Sequence, residues 1–395
     1  MSTSIWGNLG PRAAMYVGFA ATGMALTIPG AVLPLLLRQW SMNDARGGLL
    51  LFCFYSVGTF GSYSARGRMN LSVARGALLT AAGALCLAWA GRWSAYGAIA
   101  LYGTGLSLTM TSISLLLSQR FPAERRLEMT RLNLIWAVGA ALGPWIALRS
   151  TRGFAITQAL AILHAQRVLF GVAVFFIAAA VWAMWMERPS DVAKRSSGVR
   201  AGMGSGIREI PWPLLVLIFG ATGVDAAAGG WLTSYAQRAG DSLGITIGAA
   251  TFLWVGALAS RIVHSTSWSV RLPERWVLGT SMVAMSAALA LLIAWPAGVV
   301  TMIAAALLGI ATGPVYPLVI AAALRHKENS TVFAVAGVGA SLVPLLTGAT
   351  STWAHSLRAG LGVPLVAAIA MVGVVAASGD TLKGRGESTT EAVLA

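Results

Sequence analysis

Apolar residues along this chain gather in long runs, each about 20 residues or more, parted by short strings that hold nearly all of the charge. A helix rises 1.5 Å per residue, so a run of about 20 crosses roughly 30 Å of hydrocarbon. Inside lipid every backbone group must be paired internally, and the alternation of about ten residues that marks a membrane barrel is missing. The pattern therefore predicts an all-α integral membrane protein of twelve membrane-spanning helices, over 13–37, 46–66, 72–90, 94–119, 130–149, 167–186, 211–236, 245–265, 275–294, 297–324, 329–353 and 361–378. The first run, with Arg12 ahead of it, imitates a secretory signal. It is about 25 residues long and recurs later in the chain, so it is read as the first helix.

The recurrence has a fixed offset. Phe19, Ala21, Thr22, Gly23, Gly30 and Arg38 return 200 positions later as Phe219, Ala221, Thr222, Gly223, Gly230 and Arg238. Gly139, Ala140, Leu142 and Pro144 return at the same 200-residue offset as Gly339, Ala340, Leu342 and Pro344. Two helix pairs at one offset, with six helices in each half, describe a parallel repeat about an axis along the membrane normal. The expected organisation is an N-terminal six-helix bundle over 1–186, a polar linker over 187–210, a pseudo-symmetric C-terminal bundle over 211–378 and a tail over 379–395.

Composition agrees with lipid as the solvent: 57% of residues are hydrophobic and 10% charged, where a soluble domain carries about 25% charged. The formal net charge of +15 would point a soluble chain towards nucleic acid. Here the Lys and Arg residues crowd alternate loops, the linker and the ends of the chain, which places both termini in the cytoplasm of a bacterial-type inner membrane and leaves no nucleic-acid partner. Cys53 and Cys86 lie within apolar runs without metal-ligand or redox spacing and are read as small core residues. No cofactor or metal motif is visible.

Twelve of the thirteen acidic residues fall in loops, tails or helix ends; Asp225 is the exception, roughly 21 Å into the seventh helix. A charged carboxylate at that depth costs about 2.5–3.5 kcal/mol to insert, and such residues face cavities and mark ion or proton paths. Asp225 is therefore the candidate proton-coupling residue, against the plainer reading of a neutral Asp hydrogen-bonded to Thr222 one turn away. Arg261, the most embedded cation, closes a gate, pairs with a helix C-terminus or snorkels to the headgroups. Gly229-Gly230 can loosen the seventh helix, while Gly313-Pro314 with Pro317 must interrupt the tenth; transport by alternating access uses such hinges. Trp136, Trp254 and Tyr316 fall at internal depths, and Trp231 is either a cavity aromatic or an interfacial belt residue. Aromatic faces beside Asn133, Thr222, Thr233 and Tyr235 suit a neutral, hydroxyl-rich solute.

These residues carry a family resemblance. Asp225 with Gly229-Gly230-Trp231-Leu232-Thr233-Ser234-Tyr235 resembles the seventh helix of the fucose/galactose/glucose-proton symporter family, within the major facilitator superfamily. Phe252-Leu253-Trp254-Val255-Gly256 running to Ser260-Arg261 resembles the eighth helix, Gly313-Pro314-Val315-Tyr316-Pro317 the tenth, and Leu132-Asn133 with Gly139-Ala140 and Gly143-Pro144 the fifth. The resemblance implies the two-bundle fold, a monomer, and uptake of a small-molecule sugar together with protons. Two departures stand out. No carboxylate lies between Tyr102 and Gln119, where fucose-type members carry one in the fourth helix, and no Asp precedes Arg66-Gly67-Arg68 in the loop after the second helix.

Two other readings remain at this stage. Gly139, Gly143 and Pro144 partly resemble an antiporter motif, which would make the protein a proton-driven exporter of drugs or metabolites, although Ala147-Leu148 stand where a Gly pair is expected. An enzyme is disfavoured, because His164, His264, His326 and His355 form no metal or acyl-transfer signature and no Gly-x-Ser-x-Gly is present.

Overall fold

The computed structural model describes residues 5–65, 68–121, 124–151, 158–185, 210–264, 273–295, 298–326 and 331–378. The apolar runs are helices: α1 Ile5–Gln39, α2 Asp44–Tyr63, α3 Met69–Ala88, α4 Ser94–Arg120, α5 Arg125–Ser150, α6 Gln158–Trp185, α7 Trp212–Arg238, α8 Leu243–His264, α9 Glu274–Ala294, α10 Val299–Thr312, α11 Val315–His326, α12 Thr331–Trp353, α13 Leu357–Gly360 and α14 Gly362–Ala377. The tenth run is broken into α10 and α11 at Gly313 and Pro314, and the twelfth into α13 and α14. Eleven of the spans are long and apolar enough to cross a bilayer. α2 has the length, but Asp44, Arg46, Tyr55, Ser56, Thr59 and Ser62 are spread along its 20 residues and leave it outside those eleven.

Three expectations shift. α6 starts at Gln158 rather than near 167, because His164 and Arg167 are taken into the helix, where long polar side chains can reach back to the surface. Cys86 is exposed on the outside of the bundle, not in the core. Asp44 and Glu128, read as ordinary helix-end acids, are both buried. The expected linker, apart from Ile210, and the expected tail lie outside the described residues.

Within the first half α1 packs on α5, α2 on α4, and α3 on α4 and α6; within the second α7 packs on α12, α8 on α10, and α9 on α10 and α14. The repeat-related pairs α1–α5 and α7–α12 are built alike. A methyl group on Gly139 would overlap the Ala20 carbonyl, and one on Gly339 the Phe219 carbonyl, so both pairs depend on backbone contact that only glycine permits. Glu128 ties α5 to α1 nearer the N-terminus. It accepts a hydrogen bond from the Tyr16 hydroxyl, pairs with Arg131 at 3.0 Å, and has Arg12 at 3.9 Å, stacked over Phe121.

The halves meet along α1–α7, α2–α12 and α5–α8. They are sealed at the end where α1 and α7 finish. There Arg238 grips both oxygens of Asp44 at 2.5 Å, the Ser351 hydroxyl donates to Asp44 at 2.6 Å, and the Ala45 amide donates to Thr352 at 2.7 Å. A Cβ on Gly30 would overlap the Gly229 carbonyl, so α1 and α7 cross in direct backbone contact.

Candidate functional site

Asp225 lies 13 residues beyond Trp212 on the 27-residue α7, about 20 Å along a helix of about 40 Å. The Gly30–Gly229 crossing is one turn further towards the sealed end. Arg261 of α8 is the cation acting on Asp225, and Thr312, the last residue of α10, offers its hydroxyl to the carboxylate. Tyr55 of α2 faces the same carboxylate from the other half of the chain. Asp225 lies about midway along its span, where an uncompensated charge is costly, and Arg261 and Thr312 place a counter-ion and a hydroxyl beside its carboxylate.

Arg261 does more than balance Asp225. Its Nε donates to the Gly313 carbonyl at 3.5 Å, at the C-terminal end of α10, where the helix dipole favours a cation. Its guanidinium carbon also lies 5.3 Å from the centre of the Trp136 ring, within cation–π range. One side chain thus touches the break in the tenth span and the opposite half together. Pro314 has no amide hydrogen to continue the ladder and, with Gly313, opens the break; Pro317 follows within α11.

Trp136 and Trp254 meet edge to face, centroids 5.9 Å apart and planes at 83°. Trp254 is 5% exposed and lies against Gly229, where a Cβ would come within 2.9 Å of its ring. The Trp136 indole N–H is buried and has no hydrogen-bond partner among the described residues. Asn133 stands on α5 one turn before Trp136 and is exposed. Asp225, Arg261 and Tyr55 are crowded by protein yet keep accessible surface, as does Tyr316 at 37%, which places them on the wall of a cavity rather than in a closed core.

The sequence-predicted residues divide. Asp225, Arg261, Trp136, Trp254 and Tyr316 are brought together around the break at Gly313–Pro314, and Asn133 stands one turn before Trp136. Thr222, Trp231 and Tyr235 are not. The Thr222 hydroxyl donates to the Ile218 and Ala336 carbonyls, each at 2.8 Å, and so fastens α7 to α12 instead of reaching Asp225. Trp231 is neither a belt nor a cavity residue: it is 0% exposed, donates to the Pro344 carbonyl at 3.0 Å, and wedges its ring against Gly47 and Gly348. Tyr235 is buried and donates to the Leu292 carbonyl. α7 runs unbroken through Gly229 and Gly230, which serve close packing against Gly30, Trp254 and Leu51. Thr312 and Tyr55 escaped the sequence reading. Thr312 stood next to the predicted break, and a hydroxyl beside a helix interruption was the available signal.

Fold and site together define a polytopic transporter built from two helical halves. The profile of the Major Facilitator Superfamily matches residues 15–348, and the chain belongs to that superfamily: it is a multi-pass membrane protein, a secondary transporter and not an enzyme. Among solved structures it is similar to the nucleoside transporter NupG, with a TM-score of 0.68 at 14% identity over 95% of this chain and 98% of that one. It is similar to a bacterial homologue of the human lysosomal transporter Spinster, inward-facing and unoccupied, with a TM-score of 0.68 at 12% identity over 94% and 95%. It is also similar to FucP in the outward conformation, with a TM-score of 0.61 at 16% identity over 93% and 98%; FucP is the E. coli fucose:proton symporter. No curated protein matches the sequence. At these identities the likeness is one of fold.

Proposed function

We propose that this transporter takes up a neutral sugar or similar metabolite together with protons, as a monomer in a bacterial-type inner membrane with both termini cytoplasmic. One observation carries the reading. Asp225, the acid that lies deep in an apolar run, shares a partly accessible cluster with Arg261, Thr312 and the unpartnered indole N–H of Trp136. A solute hydroxyl is the acceptor that such an N–H calls for, and the Trp136 and Trp254 faces suit the apolar side of a sugar ring. Asn133 and Tyr316 supply further polar contacts. NupG and FucP, a nucleoside transporter and a fucose:proton symporter, both move solutes that contain a sugar.

In this reading Asp225 accepts a proton when the sealed end is open and Arg261 is drawn towards the solute. Closure of the Asp44–Arg238 contact and of the Gly30–Gly229 crossing then leaves the cluster reachable from the end that carries the termini. Gly313, Pro314 and Pro317 allow α10 and α11 to move separately, and Gly229 and Gly230 allow α7 to slide on α1. One proton carried down a potential supplies about 2.3 kcal/mol per 100 mV, enough to concentrate a neutral solute roughly fiftyfold.

The test is a binding screen on purified protein, monosaccharides and nucleosides against amphiphilic cations, followed by flux of each binder in proteoliposomes under an imposed pH gradient. Accumulation of a sugar-containing solute on the alkaline side, towards which the protons run, supports the proposal. Binding of cations alone, with their expulsion against the gradient, would replace it with proton-antiport efflux.

A further inference from the structure

At the sealed end, between the last turns of α1 and α7, lies a pocket of about 190 Å³ walled by Pro34, Leu37, Arg38, Ser234, Gln237 and Arg238, with Ser41 and Met42 at its rim. Its six wall residues are three repeat-related pairs, each offset by 200 positions: Pro34 with Ser234, Leu37 with Gln237, Arg38 with Arg238. The pocket therefore sits on the pseudo-symmetry axis, and it has walls from both halves only while this end is closed.

The symmetry fails in one respect. Where the first half presents Pro34 and Leu37, the second presents a hydroxyl and a carboxamide, and neither is paired. Ser234 is 0% exposed and its Oγ has no partner among the described residues. The nitrogen and the oxygen of the Gln237 side chain are likewise buried and unpartnered among the described residues. Buried polar groups are rarely left unmatched, and three such atoms in one small pocket flanked by two arginines call for a hydrogen-bonding ligand rich in acceptor oxygens. Asp44 holds the Arg238 guanidinium from outside the pocket and fixes its position.

We propose that this pocket is a regulatory site for a small oxyanion of the phosphate class. Arg38 and Arg238 supply charge from opposite halves, Ser234 Oγ and the Gln237 amide nitrogen donate, and the hydroxyl of a hydrogen phosphate donates to the Gln237 carbonyl oxygen. Because the open arrangement separates the two arginines, the anion binds the closed arrangement more tightly and shifts the population towards it. External phosphate thereby slows the return step of the transport cycle, whichever solute is carried. The same chemistry could be met by a free anion or by a lipid phosphate.

Spin labels at Trp93 and Ser242, which report the separation of the halves at this end, are followed while inorganic phosphate is titrated at constant ionic strength, alongside thermal unfolding of the same samples. The expected result is a saturable shift to the short distance, with the midpoint raised tenfold or more in Gln237→Leu and in Ser234→Ala. Unfolding without phosphate checks that each variant is folded; should Gln237→Leu fail, Gln237→Glu removes the same site by charge. In phosphatidylglycerol nanodiscs, a raised phosphate midpoint in the parent and not in the variants identifies the headgroup as the natural occupant. An unchanged midpoint identifies the free anion. A response that does not saturate, or that is equal in parent and variants, is general salting-out stabilisation and overturns the site.

Discussion

Trp136 and Trp254 lie edge to face at 5.9 Å across the boundary between the two halves, with Arg261 over the face of Trp136 at 5.3 Å. A relative motion of the halves that separates α5 from α8 must therefore part an aromatic pair and a cation–π contact beside Asp225. In the proposed mechanism this would couple solute contact to gating without a separate relay.

If the rings hold the solute, Trp254→Ala lowers the affinity for each bound sugar by about 1–3 kcal/mol, roughly 5- to 150-fold. Trp231→Ala, by contrast, removes a fully buried wedge and lowers thermal stability by about 3–5 kcal/mol with affinity retained in the folded fraction. Calorimetric titration and unfolding of the same preparations separate the two effects. Equal affinity loss in both variants would place the solute elsewhere.

The glycine contacts make a sharper structural prediction. Leucine at Gly139 or Gly339 must displace the carbonyl of a neighbouring helix, which costs about 1–3 kcal/mol or more and reduces folded yield. Leucine at Gly171 or Gly373, where nothing lies within 4 Å, changes stability by no more than about 0.5 kcal/mol. Comparable losses at all four positions would show that the helix contacts are not what these glycines serve.

Most of the fold was legible because lipid imposes a length on every span and a shared internal offset betrays the repeat. The break at Gly313–Pro314 was legible too, since proline removes a donor wherever it stands. Asp225 was conspicuous as a carboxylate within an apolar run. What could not be read was rotation about the helix axes. Depth along α7 is the same whether Trp231 points to headgroups, to a cavity or, as found, between Gly47 and Gly348. The Thr222 hydroxyl was one turn from Asp225 on paper yet turned to α12, while Thr312 and Tyr55 reach the acid from helices far away in sequence. The Asp44–Arg238 pair is invisible for the same reason, joining residues 194 positions apart.

That pair predicts a shift in conformation. Asp44→Asn leaves the shape of the side chain but ends the bidentate grip of Arg238, so the sealed end opens more often. Spin labels at Trp93 and Ser242 should report a larger population at long distance. An unaltered distance distribution would assign closure to the glycine crossings alone.

The proposed orientation is tested by labelling in intact cells. Cysteines placed within 187–209 should be protected from an impermeant maleimide and one at Ser242 should react, since the basic loops favour the cytoplasm. Labelling in the reverse sense would turn the protein over in the membrane.

The central claim is that Asp225 is the proton site, and it is tested by solute accumulation in proteoliposomes with Asp225→Asn. Asparagine preserves size and hydrogen bonding but cannot take up and release a proton. The account predicts that pH-driven accumulation falls to the level without a gradient, while exchange of solute across the membrane at equal concentrations continues. Full pH-driven accumulation by the Asp225→Asn protein would contradict it.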